Sequence, residues 1–175
     1  MQVHETPFSS LSSELVSCTL SSIQKEDIAI VGKIYDFRIY INKGMKTMKE
    51  VTAAIILKDN RALIAQRAPG ENLAGKWEFP GGKIEHGETP QECLKREIRE
   101  ELDVDIEVLD FFSESIYTYQ NGTIKLMAFL CKWITGVFTL NVHSHIAWVN
   151  HHELDLYDFA PADIPLVEKL KSVMI

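Results

Sequence analysis

Cysteine is scarce in this sequence, with three residues in 175. Cys18, Cys93 and Cys131 are odd in number and widely spaced, and no two of them form a CxxC pair. The pattern therefore indicates neither a disulfide framework nor a zinc site. Unpaired cysteines of this kind are typical of a protein in the reducing cytoplasm, which is where we expect this one.

A surplus of positive charge and a long apolar run are also missing. Asp and Glu outnumber Lys and Arg by 25 to 18, which gives a net charge of −7. Because electrostatic binding to nucleic acids or membranes needs a basic surface, we expect neither stable nucleic-acid binding nor membrane association. No apolar run reaches the roughly 18 to 20 residues of a membrane span, and the N-terminus lacks the pattern of a signal peptide. A small anionic ligand stays open if a metal cation reverses the local charge. The sequence leaves monomer and homodimer equally open.

The composition changes near residue 48. The serine-rich start of the chain favours a loosely structured, partly disordered segment, and Ile28–Ile41 has the alternating pattern of a strand. Two interpretations stay open: an added hairpin, or an upstream stretch that the mature protein lacks, because Met45 and Met48 directly precede the first convincing core strand. We predict an N-terminal extension at 1–48 and a compact domain at 49–175.

The compact part has the pattern of an α+β domain, a mostly β core with helices packed on it. Val51–Leu57 and Ala62–Arg67 are expected to form a hairpin around the turn KDNR. Thr89 followed by Pro90 starts a helix that continues from Gln91 to Leu102. The other predicted elements are a short strand WEF, strands at Ile106–Val108, Glu114–Tyr119, Ile124–Trp133, Gly136–Val142 and Ile146–Val149, a hairpin turn at Asn121-Gly122, and a helix at Ile164–Val173 behind Pro161.

The first of these helices carries three carboxylates on one side. At about 100° per residue, Glu97, Glu100 and Glu101 fall in one arc beside the apolar stripe. Like charges at this spacing repel each other by a few tenths of a kcal/mol per pair. One explanation is a site for Mg²⁺ or Mn²⁺, which prefer oxygen ligands and could also bind carbonyls of the preceding glycine loop. The alternative is a solvated face with nearby Lys and Arg side chains as counter-ions.

The spacing of the charged residues favours the metal site. Five residues separate Gly82 from Glu88, seven separate Glu88 from Arg96, and Glu97, Ile98, Glu100 and Glu101 follow. This pattern resembles the Nudix box. It departs at Asp103, where the family pattern has a glycine that ends the helix. Since Asp tolerates the left-handed conformation better than most residues, we expect the helix end to be kept at a cost of about 1 kcal/mol.

The segments on either side of the box extend the resemblance to the MutT-type Nudix hydrolases, which cleave nucleoside triphosphates. ALIAQRAPGENLAGKWEFPGGKIEHGE, at 62–88, looks like the approach to the box in those enzymes. PADIPLVEKLK, at 161–171, resembles the segment that they place against the nucleobase. The likeness covers about residues 49–175 and implies the Nudix fold, an α/β/α sandwich around a mixed β-sheet.

The resemblance implies a metal site for Mg²⁺, or Mn²⁺, on the acidic helix. Its ligands would be the Gly81 carbonyl and the carboxylates of Glu97, Glu100 and Glu101. Glu97 is also the candidate base, Glu88 would assist the metals through solvent, and Arg96 would hold the acids in place. Many relatives carry a further Glu in an EH pair near the last strand, where this sequence reads Val142-His143. Glu97 would then act alone, or His143 would contribute.

The resemblance also implies the residues that bind substrate. Arg67 and Lys83 match positions that meet phosphates, a role that suits cations, although surface charge is the alternative. Phe79 would stack on or border the base, or else belong to the core. Asp163 stands where the enzyme specific for 8-oxo-guanine has Asn. An ionised Asp163 would accept a hydrogen bond from cytosine N4, whereas a protonated one would donate to a purine carbonyl.

Together these features predict an enzyme that hydrolyses nucleoside triphosphates to monophosphates and pyrophosphate. Oxidised nucleotides such as 8-oxo-dGTP are the leading substrates, in nucleotide-pool sanitation, and CTP or dCTP are the alternative. A Nudix hydrolase of another nucleoside diphosphate derivative and a non-catalytic nucleotide-binding module are further alternatives. The full set of acids argues against the last, because binding alone does not require it.

Overall fold

The computed structural model describes residues 48–174, so the strand-like segment Ile28–Ile41 and the serine-rich start lie outside the described residues. None of the helices in residues 48–174 is long and apolar enough to cross a membrane. In chain order the described elements are β1 (Lys49–Lys58), β2 (Arg61–Arg67), β3 (Trp77–Glu78), α1 (Pro90–Leu102), β4 (Val104–Tyr119), β5 (Gly122–Gly136), β6 (His143–Val149), a short 3₁₀ turn (Leu154–Leu156) and α2 (Ile164–Val173).

The strands form one mixed sheet in the order β3-β2-β1-β5-β4. β1 and β5 run parallel, with Val51 opposite Leu126, and the other paired strands are antiparallel. β2 changes partner along its length: its first two residues pair with β1, Ala65 and Gln66 pair with β3, and β6 pairs along its other edge. Because β1 and β3 share one edge of β2, a gap opens beside the first half of β1.

The two helices cover opposite faces of the sheet. Successive side chains of a strand point to opposite faces, so Ala53 and Ala54 of β1 enter different hydrophobic layers. Ala53 packs in the layer that contains Leu166 of α2, and Ala54 packs in the layer that contains Ile98 of α1. This is the expected α/β/α sandwich in the α+β class.

Several local predictions are confirmed. β1 and β2 form a hairpin through Asp59 and Asn60, whose φ angles of 49° and 57° are left-handed. Helix α1 begins at Pro90, as predicted. The Thr89 hydroxyl accepts a hydrogen bond from the Glu92 amide at 3.2 Å, and the Glu92 carboxylate accepts one from the Thr89 amide at 2.8 Å. This reciprocal capping satisfies two amides that the first helical turn leaves unpaired. The bounds of α2, Ile164–Val173, are as predicted.

The two strands predicted at Ile106–Val108 and Glu114–Tyr119 are one continuous strand, β4. Irregular register between Val108 and Ser113 lets β4 absorb the intervening residues without leaving the sheet. The hairpin turn is also one residue earlier than predicted. Gly122 pairs with Tyr119, so the two-residue loop is Gln120-Asn121.

The strand predicted at Gly136–Val142 is wrong. β5 ends at Gly136, and residues 137–142 belong to no strand. Their amides bind the end of α1 instead: the Thr139 amide donates to the Leu102 carbonyl at 2.9 Å, and the Asn141 amide donates to the Glu101 carbonyl at 3.0 Å. The segment therefore caps carbonyls that the last turn of a helix leaves without partners.

Candidate active site

The glycine loop after β3 fills the gap beside β1 as an irregular extra strand. The Thr52 amide donates to the Gly82 carbonyl at 2.8 Å, the Ala54 amide to the Pro80 carbonyl at 2.8 Å, and the Ile84 amide to the Glu50 carbonyl at 3.1 Å. The approach is so close that a Cβ at Gly81 would lie 2.3 Å from the Thr52 carbonyl oxygen. The sheet thus fixes the position of the loop.

Helix α1 meets this loop at Gly82. A Cβ at Gly82 would lie 2.2 Å from the carboxyl carbon of Glu97, so a larger residue would displace that side chain. The Asp103 backbone ends the helix in the left-handed conformation, at φ 55° and ψ 35°, as predicted for the departure from the box. The absence of a side chain at Gly82 therefore leaves room for the Glu97 carboxylate, and the Asp103 backbone ends the helix two residues after Glu101.

Arg96 lies among the acids of the loop and the helix. Its guanidinium is 2.7 Å from the Glu88 carboxylate, 2.9 Å from Glu97 and 3.5 Å from Glu100. Hydrogen bonds from Arg96 and from the Glu85 amide lower the pKa of Glu88 to about 2, and Glu88 in turn raises the pKa of Arg96. Arg96 therefore holds three mutually repelling carboxylates in one place.

Glu101 has the least satisfied carboxylate of the set. Its Oε2 is buried and has no hydrogen-bond partner among the described residues. The pKa of Glu101 is raised to about 7, mainly by burial and to a smaller extent by Glu78 and Glu97, while His143 and a hydrogen bond from the Gly81 backbone oppose the shift. A buried oxygen without a partner is costly, and a cation beside it would remove that cost.

The donor set fits a hard divalent cation, since it consists of carboxylate oxygens beside a glycine loop. Within residues 48–174, however, no three His, Cys, Asp or Glu side chains converge in a ready-made metal cluster. Arg96 binds Glu97 and Glu100 instead, and Glu100 is largely exposed. A cation that enters would have to draw these carboxylates away from Arg96.

A cleft of about 780 Å³ lies next to the loop. It brings together residues that the sequence predicted to bind substrate or metal: Arg67, Phe79, Gly81, Lys83, Glu101 and Asp163. The other predicted residues, Glu88, Arg96, Glu97 and Glu100, are not among its lining residues, although the Glu97 carboxylate lies directly against Gly82, which lines the cleft. The cleft walls also include the tip of the β4–β5 hairpin.

Glu78 is a partly buried residue of the site that sequence reasoning missed. One carboxylate oxygen is 2.5 Å from Nη1 of Arg67, and the other is 3.1 Å from Nε2 of His143. Arg67 also donates from Nε to the Asn72 carbonyl at 2.5 Å, which leaves Nη2 without a partner in the described part of the chain. His143 is buried, and its Nδ1 likewise has no described partner. Glu78 therefore orients both Arg67 and His143 at the cleft.

Asp163 and Phe79 both line the cleft and are hydrogen-bonded to each other. Phe79 is only 3% exposed, its ring centroid is 5.8 Å from that of Phe159, and it packs in the core layer of α2. Its amide donates to Oδ1 of Asp163 at 3.0 Å. Burial raises the pKa of Asp163 to about 8, with a smaller contribution from Glu78, whereas the Phe79 amide and Arg67 lower it. Below that pH the Asp163 carboxyl is mostly neutral and can donate a hydrogen bond.

Comparison with known proteins identifies the family. The model of the NUDIX domain matches residues 48–170, which is more than half of the chain. The chain belongs to the Nudix family. The Escherichia coli protein named CTP pyrophosphohydrolase is 38% identical over 126 residues, 72% of this chain and 93% of that protein. The E. coli protein named 8-oxo-dGTP diphosphatase is 32% identical over 129 residues, 74% of this chain and 100% of that protein.

A solved structure agrees with this assignment. The NMR structure of a protein named DNA mismatch repair protein MutT (family Nudix hydrolase), from methicillin-resistant Staphylococcus aureus 252, is 41% identical, with a TM-score of 0.61. The match covers 73% of this chain and 98% of that one. The expected Nudix fold and hydrolase class are confirmed. Nudix hydrolases generally use divalent metals.

Proposed function

We propose that this Nudix hydrolase is a Mg²⁺-dependent pyrophosphohydrolase that cleaves nucleoside triphosphates, with oxidised ones such as 8-oxo-dGTP as its leading substrates. One observation carries the proposal: a single cleft is lined both by the carboxylate of Glu101, on the acidic helix, and by the buried carboxyl of Asp163, whose pKa is raised. Such a cleft suits a ligand with phosphates at one end and a polar base at the other. The names of the relatives, 8-oxo-dGTP diphosphatase and CTP pyrophosphohydrolase, agree with this ligand class.

The metal, Mg²⁺ or Mn²⁺, would be held by the Gly81 carbonyl and by Glu97, Glu100 and Glu101. When bound, such ions neutralise phosphate charge and lower the pKa of water. Glu88 and Arg96 restrain the acids, so that they stay near the loop despite their mutual repulsion.

The chain's own residues also position the substrate and move the proton. Arg67, through the Nη2 that has no partner among residues 48–174, and Lys83 would bind the phosphates at the cleft. Glu97 would accept a proton from the attacking water as the new P–O bond forms and the bond to the leaving pyrophosphate breaks. His143 is bonded to Glu78 through Nε2, which favours Glu97 over His143 as the base.

Asp163 would read the base, and its protonation state would choose between the two substrate classes. The neutral carboxyl, which prevails below about pH 8, would donate to a purine carbonyl and favour 8-oxo-dGTP. The ionised form would accept from the amino group of cytosine. The 38% identical relative named CTP pyrophosphohydrolase supports CTP or dCTP as the second candidate substrate.

A substrate panel tests the proposal. With Mg²⁺ at pH 7, kcat/KM would be measured for 8-oxo-dGTP, dGTP, CTP, dCTP and a sugar nucleotide, and the products identified. We expect monophosphate and pyrophosphate, the highest value for 8-oxo-dGTP, and a shift toward cytidine nucleotides at pH 9. Glu97→Gln should lower kcat by about 100-fold or more and retain the fold, because it removes the base. No metal-dependent turnover by the wild type would instead indicate a binding module.

We further propose that the protein acts in the cytoplasm on free nucleotides, protecting DNA precursors, and does not bind nucleic acid stably. The net charge of −7 supports this, because a nucleic-acid surface would be basic. Light scattering on the purified protein would distinguish the monomer from the homodimer.

A further inference from the structure

The cleft contains one aromatic ring that is neither buried in the core nor held by an ion pair. Phe79, Tyr119 and His143 are the ring-bearing side chains among the described residues that line it. Phe79 is almost fully buried in the core, and His143 is buried against Glu78. Tyr119 is only partly buried: its ring packs against the core layer of α2 and lies 4.6 Å from the Tyr117 ring, and the rest of the side chain lines the cleft, where a ligand can reach it. Nucleobases are commonly bound by stacking on such rings.

Tyr119 is fixed beside the residue that we propose reads the base. It is the last residue of β4, at the base of the hairpin loop Gln120-Asn121. Its hydroxyl oxygen accepts a hydrogen bond from the Ala162 amide at 3.3 Å, and Ala162 directly precedes Asp163. Since the oxygen is used as an acceptor, the hydroxyl proton remains available for a ligand.

We propose that Tyr119 determines base specificity: its ring provides the face against which the nucleobase lies, and its hydroxyl joins the hairpin tip to the Ala162–Asp163 segment. The inference rests on the proposed function, since it assumes a nucleotide in the cleft. It also assigns the contact with the nucleobase to Tyr119 of β4 and not to Phe79, because the Phe79 ring is buried in the core.

Three substitutions separate the ring from the hydroxyl. Tyr119→Leu removes the ring, Tyr119→Phe keeps the ring and removes the hydroxyl, and Phe111→Leu is the control, because Phe111 lies on the same strand, is exposed, does not line the cleft and packs its ring against Phe129. kcat and KM would be measured for 8-oxo-dGTP, dGTP and CTP. Inhibition constants would be measured for dGMP, CMP and inorganic pyrophosphate, which has no base.

Tyr119→Leu should raise KM for the nucleotides, and the inhibition constants of dGMP and CMP, by about 10-fold, given the usual contribution of base stacking. Its kcat and its inhibition by pyrophosphate should stay near wild type. Tyr119→Phe should keep the affinity and change the ratio of kcat/KM between 8-oxo-dGTP and CTP. Phe111→Leu should match the wild type. Tyr119→Thr is the second ring-less variant if Tyr119→Leu lowers Tm.

The inference is overturned if ring-less variants keep wild-type KM, or if they lose affinity for pyrophosphate as much as for nucleotides. Its failure is distinct from that of the proposed function. A wild type that hydrolyses no nucleoside triphosphate refutes the proposed function, and weaker dGMP and CMP binding by Tyr119→Leu would then still support the ring as a base contact. If Tyr119→Leu bound dGMP and CMP as tightly as the wild type, the ring would be refuted as a base contact as well.

Discussion

A single buried carboxyl, that of Asp163, bears on both stability and base recognition. Burial of Asp163 moves its pKa from the ordinary 3.8 to about 8, so folding takes up a proton at any pH between these values. The titratable side chains that face Asp163 are those of Glu78, Arg67 and Tyr119. Of these three, only Arg67 favours the charged form of the Asp163 carboxyl. A raised carboxyl pKa makes the folded state lose stability as the pH rises through this window.

We therefore expect Asp163→Asn to remove part of the pH dependence of stability. The Asn side chain has nearly the same shape and no charge to bury, so wild type should lose at least about 1 kcal/mol relative to the variant between pH 5 and pH 8.5. Urea unfolding at both pH values measures this difference. Asp110→Asn, at an exposed position, is the control. Parallel pH profiles for wild type and Asp163→Asn would show that Asp163 is ionised in the folded protein.

At the residue scale, the sequence predicted those parts of the site that belong to recognisable motifs, in the box and in the segments that contain Arg67, Phe79 and Asp163. The box residues from Gly82 to Glu101 are close in the chain, and their spacing is a local signal. Glu78 and His143 meet only because β3 and β6 both pair with β2, and Tyr119 enters the cleft because β4 ends there. No short motif carries such contacts, which arise from strand pairing across the sheet.

The two ends of α1 differ in how they are specified. The start is encoded locally, by Thr89, Pro90 and Glu92. The end is completed by a distant segment, in which the Asn141 side-chain amide also donates to the Glu100 carbonyl at 2.7 Å. The failed strand prediction at Gly136–Val142 has this origin, because a strand-like composition does not reveal that the amides are used to cap a helix.

Asn141→Asp should destabilise the protein, because it replaces the donor to the Glu100 carbonyl with an acceptor and adds negative charge at a helix C-terminus. We expect the free energy of unfolding to fall by about 1 kcal/mol. The same substitution at Asn121, in the exposed hairpin loop, adds the same charge away from any helix and is the control. Urea unfolding of both variants makes the comparison, and equal effects would mean that the cap contributes nothing.

For the whole molecule, we propose that residues 1–48 are an extension and that 49–175 form the hydrolase domain. The family match begins at residue 48, and the described residues contain two hydrophobic layers and the residues named above as lining the cleft. A truncated protein that starts at Met48 should keep the wild-type Tm and kcat/KM. Calorimetry and the substrate panel measure both. A lower Tm would show that the preceding residues stabilise the domain.

The glycine loop is hydrogen-bonded to β1 as if it were part of the sheet, and β1 lies between the two hydrophobic layers. Opening the loop alone would break hydrogen bonds of the central strand, so the loop has little freedom to fluctuate on its own. The glycine loop, with the carbonyl that we propose binds the metal, therefore belongs to the same cooperative unit as the core. On heating, this enzyme would lose its activity and its fold in a single event, without an intermediate that is folded but inactive.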